Sequence, residues 1–202
     1  MTPNLRPALP RPVVLAALLA LPLAGCISFG AKPPPSLLTL TAAAAPAVGQ
    51  DQTGTRSITI DVPVTPQALA TARVPVQTGP TAIAYVEKAL WAEPPARLFA
   101  RLLADTATAR TGRVVVSSVQ AVGDPGAHLG GELRTFGIDG QTREAVVTFD
   151  ASLVRQANRG GLDKRRFEVR VPVAAIDAAS VGPALNDAAN QVAAQVANWV
   201  GR

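Results

Sequence analysis

Cysteine, histidine and tyrosine each occur once in this chain of 202 residues, tryptophan twice and phenylalanine five times. A single thiol forms no internal disulfide, and a single imidazole builds no multi-histidine metal site. The sequence has no Gly-x-Ser-x-Gly elbow, no Gly-Lys-Ser or Gly-Lys-Thr, and no Gly-x-Gly-x-x-Gly. Their absence removes the common serine-hydrolase, ATP-hydrolysing and dinucleotide-binding designs. Cationic excess is small, with 19 Lys and Arg against 14 Asp and Glu. Only Lys164-Arg165-Arg166 forms a run, and nucleic-acid surfaces need clustered cations, often with aromatics between them. The triplet therefore reads as a solvated hairpin flank, and no nucleic-acid partner is expected.

No apolar run reaches the roughly 20 residues that an unaided bilayer span requires. The longest, residues 13–24, follows Arg6 and Arg11 with no acid before it and leads into Leu23-Ala24-Gly25-Cys26. A basic start, an apolar middle and a small-residue processing site, in that order, make residues 1–25 a signal peptide. Cys26 follows the Leu-Ala-Gly triplet directly, where lipoprotein maturation needs a thiol to carry diacylglycerol. The competing reading is plain cleavage nearby, with Cys26 a bystander. Acylation is favoured because a lone free thiol sits poorly in an oxidising compartment. Each buried methylene of the acyl chains, palmitate or similar, contributes about 0.8 kcal/mol, and several chains on one residue hold firmly where one would not. Ile27, rather than Asp, after the cysteine favours the outer membrane, with the protein facing the periplasm.

Residues 26–35 contain Pro33-Pro34-Pro35, whose fixed φ and missing amide protons suit an extended spacer. Residues 36–202 are expected to form one domain. Residues 36–41 read as a first strand and 42–55 as a loop. Alternation of Ile58, Ile60 and Val62 with Ser57, Thr59 and Asp61 predicts a half-buried strand ended by Pro63. A single helical turn fits 67–73, and a hairpin fits 74–77 and 81–86. Glu93-Pro94-Pro95 predicts a helix start, Leu98, Phe99, Leu102, Leu103 and Thr106 its buried stripe, and Gly112 its end. Val114-Val115-Val116 reads as a buried strand and 123–126 as a turn. Further strands fit 127–137, 143–156 and 164–173, the last two joined by a tight turn at 158–161. A second helix is predicted from Pro183 to Val200, with Leu185, Ala188, Ala189, Val192, Val196 and Trp199 inward. The sum is an α+β two-layer sandwich, a mixed, mostly antiparallel sheet of six or seven strands covered by two helices.

Catalytic candidates are thin. His128 lies in a predicted strand, where a surface imidazole outweighs a general base. Asp61, Glu93, Asp105, Asp124, Glu132, Asp139 and Asp150 are scattered, and only a fold can pair them. Gly130-Gly131 fits close backbone packing or a bulge better than phosphate binding. No metal, cofactor or enzymatic activity is expected.

The stretch from Tyr85 to Pro95, Tyr-Val-Glu-Lys-Ala-Leu-Trp-Ala-Glu-Pro-Pro, resembles the signature of the ABC-type transport auxiliary lipoproteins, the family of paraquat-inducible protein C. Leu38-Thr39-Leu40, the segment from Leu129 to Phe136, the strand from Phe167 to Pro172 and the helix ending near Trp199 resemble that family too, in order. Leu38 in place of an aromatic residue, and the alanine-rich insertion after it, depart from the pattern. The resemblance implies an envelope lipoprotein that works with an ABC ATPase, its permease and a mammalian-cell-entry (MCE) domain protein carrying lipid between membranes. Tyr85, Leu90 and Trp91 crowd a strand-to-helix junction, either as core anchors, the favoured reading, or as a docking surface. If Trp91 is exposed, it is the expected partner contact, flanked by Tyr85 and Pro94. The first functional reading is a non-catalytic adaptor. A phospholipid-binding shuttle, which needs an apolar cavity, is the alternative, and an envelope hydrolase, which needs converging acids or His128, ranks last.

Overall fold

The computed structural model describes residues 36–47, 57–116, 126–155 and 161–201. The predicted signal peptide, Cys26, the proline spacer, most of the alanine-rich loop and most residues of the turns at 123–126 and 158–161 lie outside them. In chain order the elements are β1 (Ser57–Ile60), a single 3-10 turn (Gln67–Leu69), β2 (Arg73–Gly79), β3 (Ala82–Leu90), α1 (Pro95–Thr111), β4 (Val114–Val116), β5 (Ala127–Asp139), β6 (Glu144–Arg155), β7 (Leu162–Pro172) and α2 (Ala178–Val200). They make a seven-stranded mixed sheet covered by two helices, an α+β sandwich.

β5 organises the sheet. On one side it pairs antiparallel with β6, and β6 with β7, in two long ladders. On the other side β1 and β2 run parallel to it, one near each end, with Thr59 opposite His128 and Val76 opposite Ile138. β4 pairs with β1 and β3 with β2, so the predicted hairpin forms. Alternation in β6 sends Ala145, Val147, Phe149, Ala151 and Leu153 inward, all at most 1% exposed. Fully burying one such valine, leucine or phenylalanine contributes about 1.5–3 kcal/mol.

The helices close over that face. Pro94 and Pro95 open α1, and Gly112, at φ 65°, ends it in the left-handed conformation that only glycine adopts without penalty. α1 buries the expected Leu98, Phe99, Leu102, Leu103 and Thr106. α2 begins earlier than predicted. The Asp177 carboxylate accepts the Ser180 amide at 2.8 Å and caps the helix at Ala178, which leaves Pro183 inside it. Small residues on its inner side, Gly182, Ala188, Ala189 and Ala193, let the helix sit close to its neighbours.

Other expectations change. Residues 36–41 do not join the sheet as a strand. Only Leu38 bridges to Trp91, after which the chain passes to α2, where Asn186 and Asn190 accept the amides of Thr41 and Ala43 at 2.8 and 2.7 Å. Val62 is 55% exposed, because β1 ends at Ile60 and the chain then follows the rim of β5. Val114, Val115 and Val116 are only half-buried, at the margin of the sheet. Trp199 is also half-buried, tilted against Phe167 with ring centroids 5.7 Å apart.

The candidate docking junction and the open sheet face

β3 reaches the junction through a large irregularity. Tyr85 pairs with Pro75 and Leu90 with Arg73, so the residues between them bulge out of the ladder. Lys88 takes φ 58° at its crest, and Glu87 and Lys88 are exposed while Val86 and Ala89 are buried. A non-glycine residue held there costs on the order of 1 kcal/mol. The Trp91 amide then donates to the Ala72 carbonyl at 2.7 Å, and the ring turns inward.

Trp91 is 2% exposed and meets the edge of Phe136 at a centroid distance of 5.4 Å. Phe136 meets Phe99, and Phe99 meets Phe149, in the same tilted manner. The indole is thus the first member of an aromatic row running through the core, and its Nε1 has no hydrogen-bond partner among the described residues. The exposure on which a direct docking role for Trp91 depended is not met. Tyr85 is half-buried under the Arg73 guanidinium, 4.0 Å from the ring centroid, and Pro94 is exposed. Glu93 receives a fork from Arg101, at 2.6 and 3.1 Å, and that bond holds its carboxyl below the usual range. Of the three residues, Pro94 is exposed and Tyr85 half-buried, while Trp91 belongs to the core.

The sheet face away from the helices is an array of charge. Asp150 takes a two-point contact from Arg166 at 2.6 and 2.7 Å and a longer one from Arg134 at 3.5 Å, and its carboxyl is lowered chiefly by Arg166. Arg170 bridges Glu168, Glu144 and Asp139. An open groove of about 720 Å³ lies here, lined by Val64, Gly131, Glu132, Ser152, Lys164 and Arg166 among others. The fold thus gathers the basic triplet and Gly131 in one place. Gly131 has a packing reason: at φ 147°, a Cβ would lie 2.2 Å from the Asp150 carbonyl oxygen.

Sequence reasoning did not foresee one pair. Asp61, at the end of β1, places Oδ2 2.6 Å from His128 Nε2 on β5. Both side chains are more than a third exposed. No hydroxyl or second carboxylate bonds the imidazole among the described residues, and no group of metal-ligating side chains occurs there either. The pair ties the end of β1 to the start of β5. Its only sequence trace was the polar face of β1, since its members are 67 residues apart.

Residues 38–197 match the family model of the ABC-type transport auxiliary lipoprotein component. The chain belongs to that family. It is thus an auxiliary lipoprotein component of an ABC-type transport system, a class that places it in the cell envelope. No helix among the described residues is long and apolar enough to cross a membrane. Two crystal structures share the fold. A Xanthomonas campestris protein of the DUF330 family is 20% identical, with a TM-score of 0.66 over 82% of this chain and 94% of that one. An uncharacterized protein is 18% identical, with a TM-score of 0.62 over 80% of this chain and 99% of that one. No curated protein matches the chain.

Proposed function

We propose that the protein is a non-catalytic adaptor in an MCE-type lipid transport system, held by acylated Cys26 at the periplasmic face of the outer membrane. In this reading it docks an MCE-domain protein and, through it, an ABC permease and ATPase. The observation that carries the proposal is the family match over residues 38–197, nearly the whole chain after the spacer. Its mechanism is positional. The lipid confines the domain near the membrane and raises its effective concentration for the transporter, while the surface around Tyr85 and Pro94 supplies the contact.

The core supports an adaptor over a lipid shuttle. Phe99, Phe136, Phe149, Leu133, Leu153 and Val192, each at most 1% exposed, pack where acyl chains would have to enter between helices and sheet. One observation favours the hydrolase reading, the contact between Asp61 and His128. A base oriented by a carboxylate still needs a nucleophile and a cleft that excludes water, and this pair is half-exposed at a strand end.

The test is a pull-down from detergent-solubilised envelopes together with a deletion strain. The adaptor reading expects an MCE protein to copurify, the deletion strain to become sensitive to membrane-perturbing agents, and Cys26→Ala to release the protein from membranes. Absence of both the MCE protein and the sensitivity removes the proposal. Loss of complementation in His128→Ala, with partner binding intact, would move the weight to catalysis.

A further inference from the structure

The two outer strands that carry the long hairpins differ in a way that matters for what they meet. β7 is guarded by Asp163, Lys164, Arg165, Arg166, Glu168 and Arg170, the usual protection of a free strand edge. The β2–β3 hairpin has no such guard. From Val74 to Val86 no residue carries a charge, and Pro80, Thr81, Ala82, Ile83 and Ala84 are all exposed, Ile83 at 52%. A neutral edge with an exposed isoleucine invites association unless something covers it.

The course of the chain indicates what does. The Leu38 amide donates to the Leu90 carbonyl, and the Ala92 amide donates to the Leu38 carbonyl, so Leu38 lies parallel to the end of β3. The chain therefore arrives at Leu38 from the direction of the hairpin tip. Pro33, Pro34 and Pro35, before it in the chain, carry no amide proton to donate to a strand edge. β2 from the level of Leu38 to the tip is about 20 Å long. The twelve-residue interval from Cys26 to Leu38 spans at most about 40 Å. An anchor at Cys26 thus brings a bilayer within reach of the tip. At the other end of the sheet exposed Leu162 is flanked within its own strand by Asp163 and Lys164 and by the contact between Arg155 and Asp163, whereas the charge beside the tip, Asp139 opposite Gln77, lies on β5 and is paired with Arg170.

We propose that the β2–β3 tip, through Pro80 and Ile83, rests in the headgroup region of the bilayer that holds the anchor. This rests on acylation of Cys26. The contact fixes which way the domain faces: the tip points to the lipid, and the Asp61–His128 end of the sheet points away from it. One small apolar tip binds weakly alone, and it acts here because the anchor has already confined the domain.

The acylated full-length protein, carrying either Ile83→Cys or Leu162→Cys, tests this. Acylation blocks Cys26, so the introduced thiol alone takes an environment-sensitive dye. Each protein is reconstituted into phosphatidylethanolamine and phosphatidylglycerol vesicles containing a lipid-borne quencher. The expected result is a blue shift and loss of intensity for the dye at position 83, with the dye at position 162 unchanged. Equal responses in membrane-bound, acylated protein overturn the inference and leave the anchor standing. An unmodified Cys26 in the intact mass overturns both. Contact between dyes at position 83 of two molecules, without quenching by lipid, assigns the edge to a second copy and also overturns it.

Discussion

Asn190 holds Thr41 to the flank of α2: its Nδ2 donates to the Thr41 carbonyl at 2.9 Å, while its Oδ1 accepts the neighbouring Ala43 amide at 2.7 Å. Asn186, one turn earlier, accepts the Thr41 amide at 2.8 Å. Two carboxamides at i and i+4 thus replace the strand partner that this segment lacks. Leu38 adds an apolar point, its Cδ2 lying 2.8 Å from where a Cβ would stand on Gly182. The first described segment of the chain is thereby fastened to the rest of the domain.

Replacing both Asn186 and Asn190 by Ala should free that segment. Each lost hydrogen bond costs about 1 kcal/mol, so the domain should stay folded while the amides of Thr41 and Ala43 lose protection. Hydrogen exchange read at those two amides checks this. Unchanged protection would mean that Leu38 alone fastens the segment.

Trp91 separates packing from docking. Trp91→Ala removes the end of the aromatic row and should cost about 3–5 kcal/mol, lowering the denaturant midpoint. Trp91→Phe keeps an aromatic ring and deletes Nε1, which is unpartnered among the described residues, so it should cost less than about 2 kcal/mol. Partner capture by Trp91→Phe should then match the parent, whereas Tyr85→Ala and Pro94→Ala should weaken capture with stability nearly unchanged. Lost capture in a stable Trp91→Phe protein would place the indole in the contact itself.

What was legible in the sequence had local or periodic signals. The stripe of α1, the proline start, Gly112 and the alternation of Ile58 and Ile60 in β1 each depend on residues near one another in the chain, so their pattern was visible locally. The rest depended on distant partners. The segment after Leu38 has the composition of a strand, but its partners are side chains of α2. Val62 continues the alternation of β1 past the point where anything covers it. Pro183 looked like a helix start because it is the stronger local marker, yet Asp177 caps the helix upstream. Trp91 stood at a junction whose inward or outward turn only the packing of Phe136 decides. Nothing local announced that Asp61 and His128 meet.

Acid should weaken the fold in a defined direction. Asp150 is lowered chiefly by Arg166, Asp139 by the Thr142 amide, and Asp177 by the Ser180 amide. A carboxyl with a depressed folded-state pKa binds its proton more readily once unfolded. Its contribution is complete above the unfolded value of about 4 and is lost as pH falls through the folded value. Denaturant midpoints should therefore hold from neutral pH down to about pH 4 and then drop. Asp150→Asn should be less stable at neutral pH and show a shallower fall in acid. A parallel pair of curves would show that Arg166 contributes nothing through this carboxyl.

Gly131 should tolerate no side chain. At φ 147° an alanine is strained in any surroundings, and here its Cβ would lie 2.2 Å from the Asp150 carbonyl oxygen and 3.0 Å from the Phe149 ring. Neither neighbour can withdraw cheaply, since one is backbone in the β5–β6 ladder and the other belongs to the aromatic row. Gly131→Ala should cost about 3 kcal/mol or more, combining backbone strain with overpacking. Gly130, beside it, has no positive φ, and a Cβ there would make ordinary contact with Asp61 Oδ2 at 3.5 Å. Gly130→Ala should be close to neutral. Thermal melts of the two variants make the comparison: equal destabilisation would refute the steric account, and a large loss confined to Gly131→Ala would show that the close approach of β5 and β6 is what demands glycine at this point of the groove.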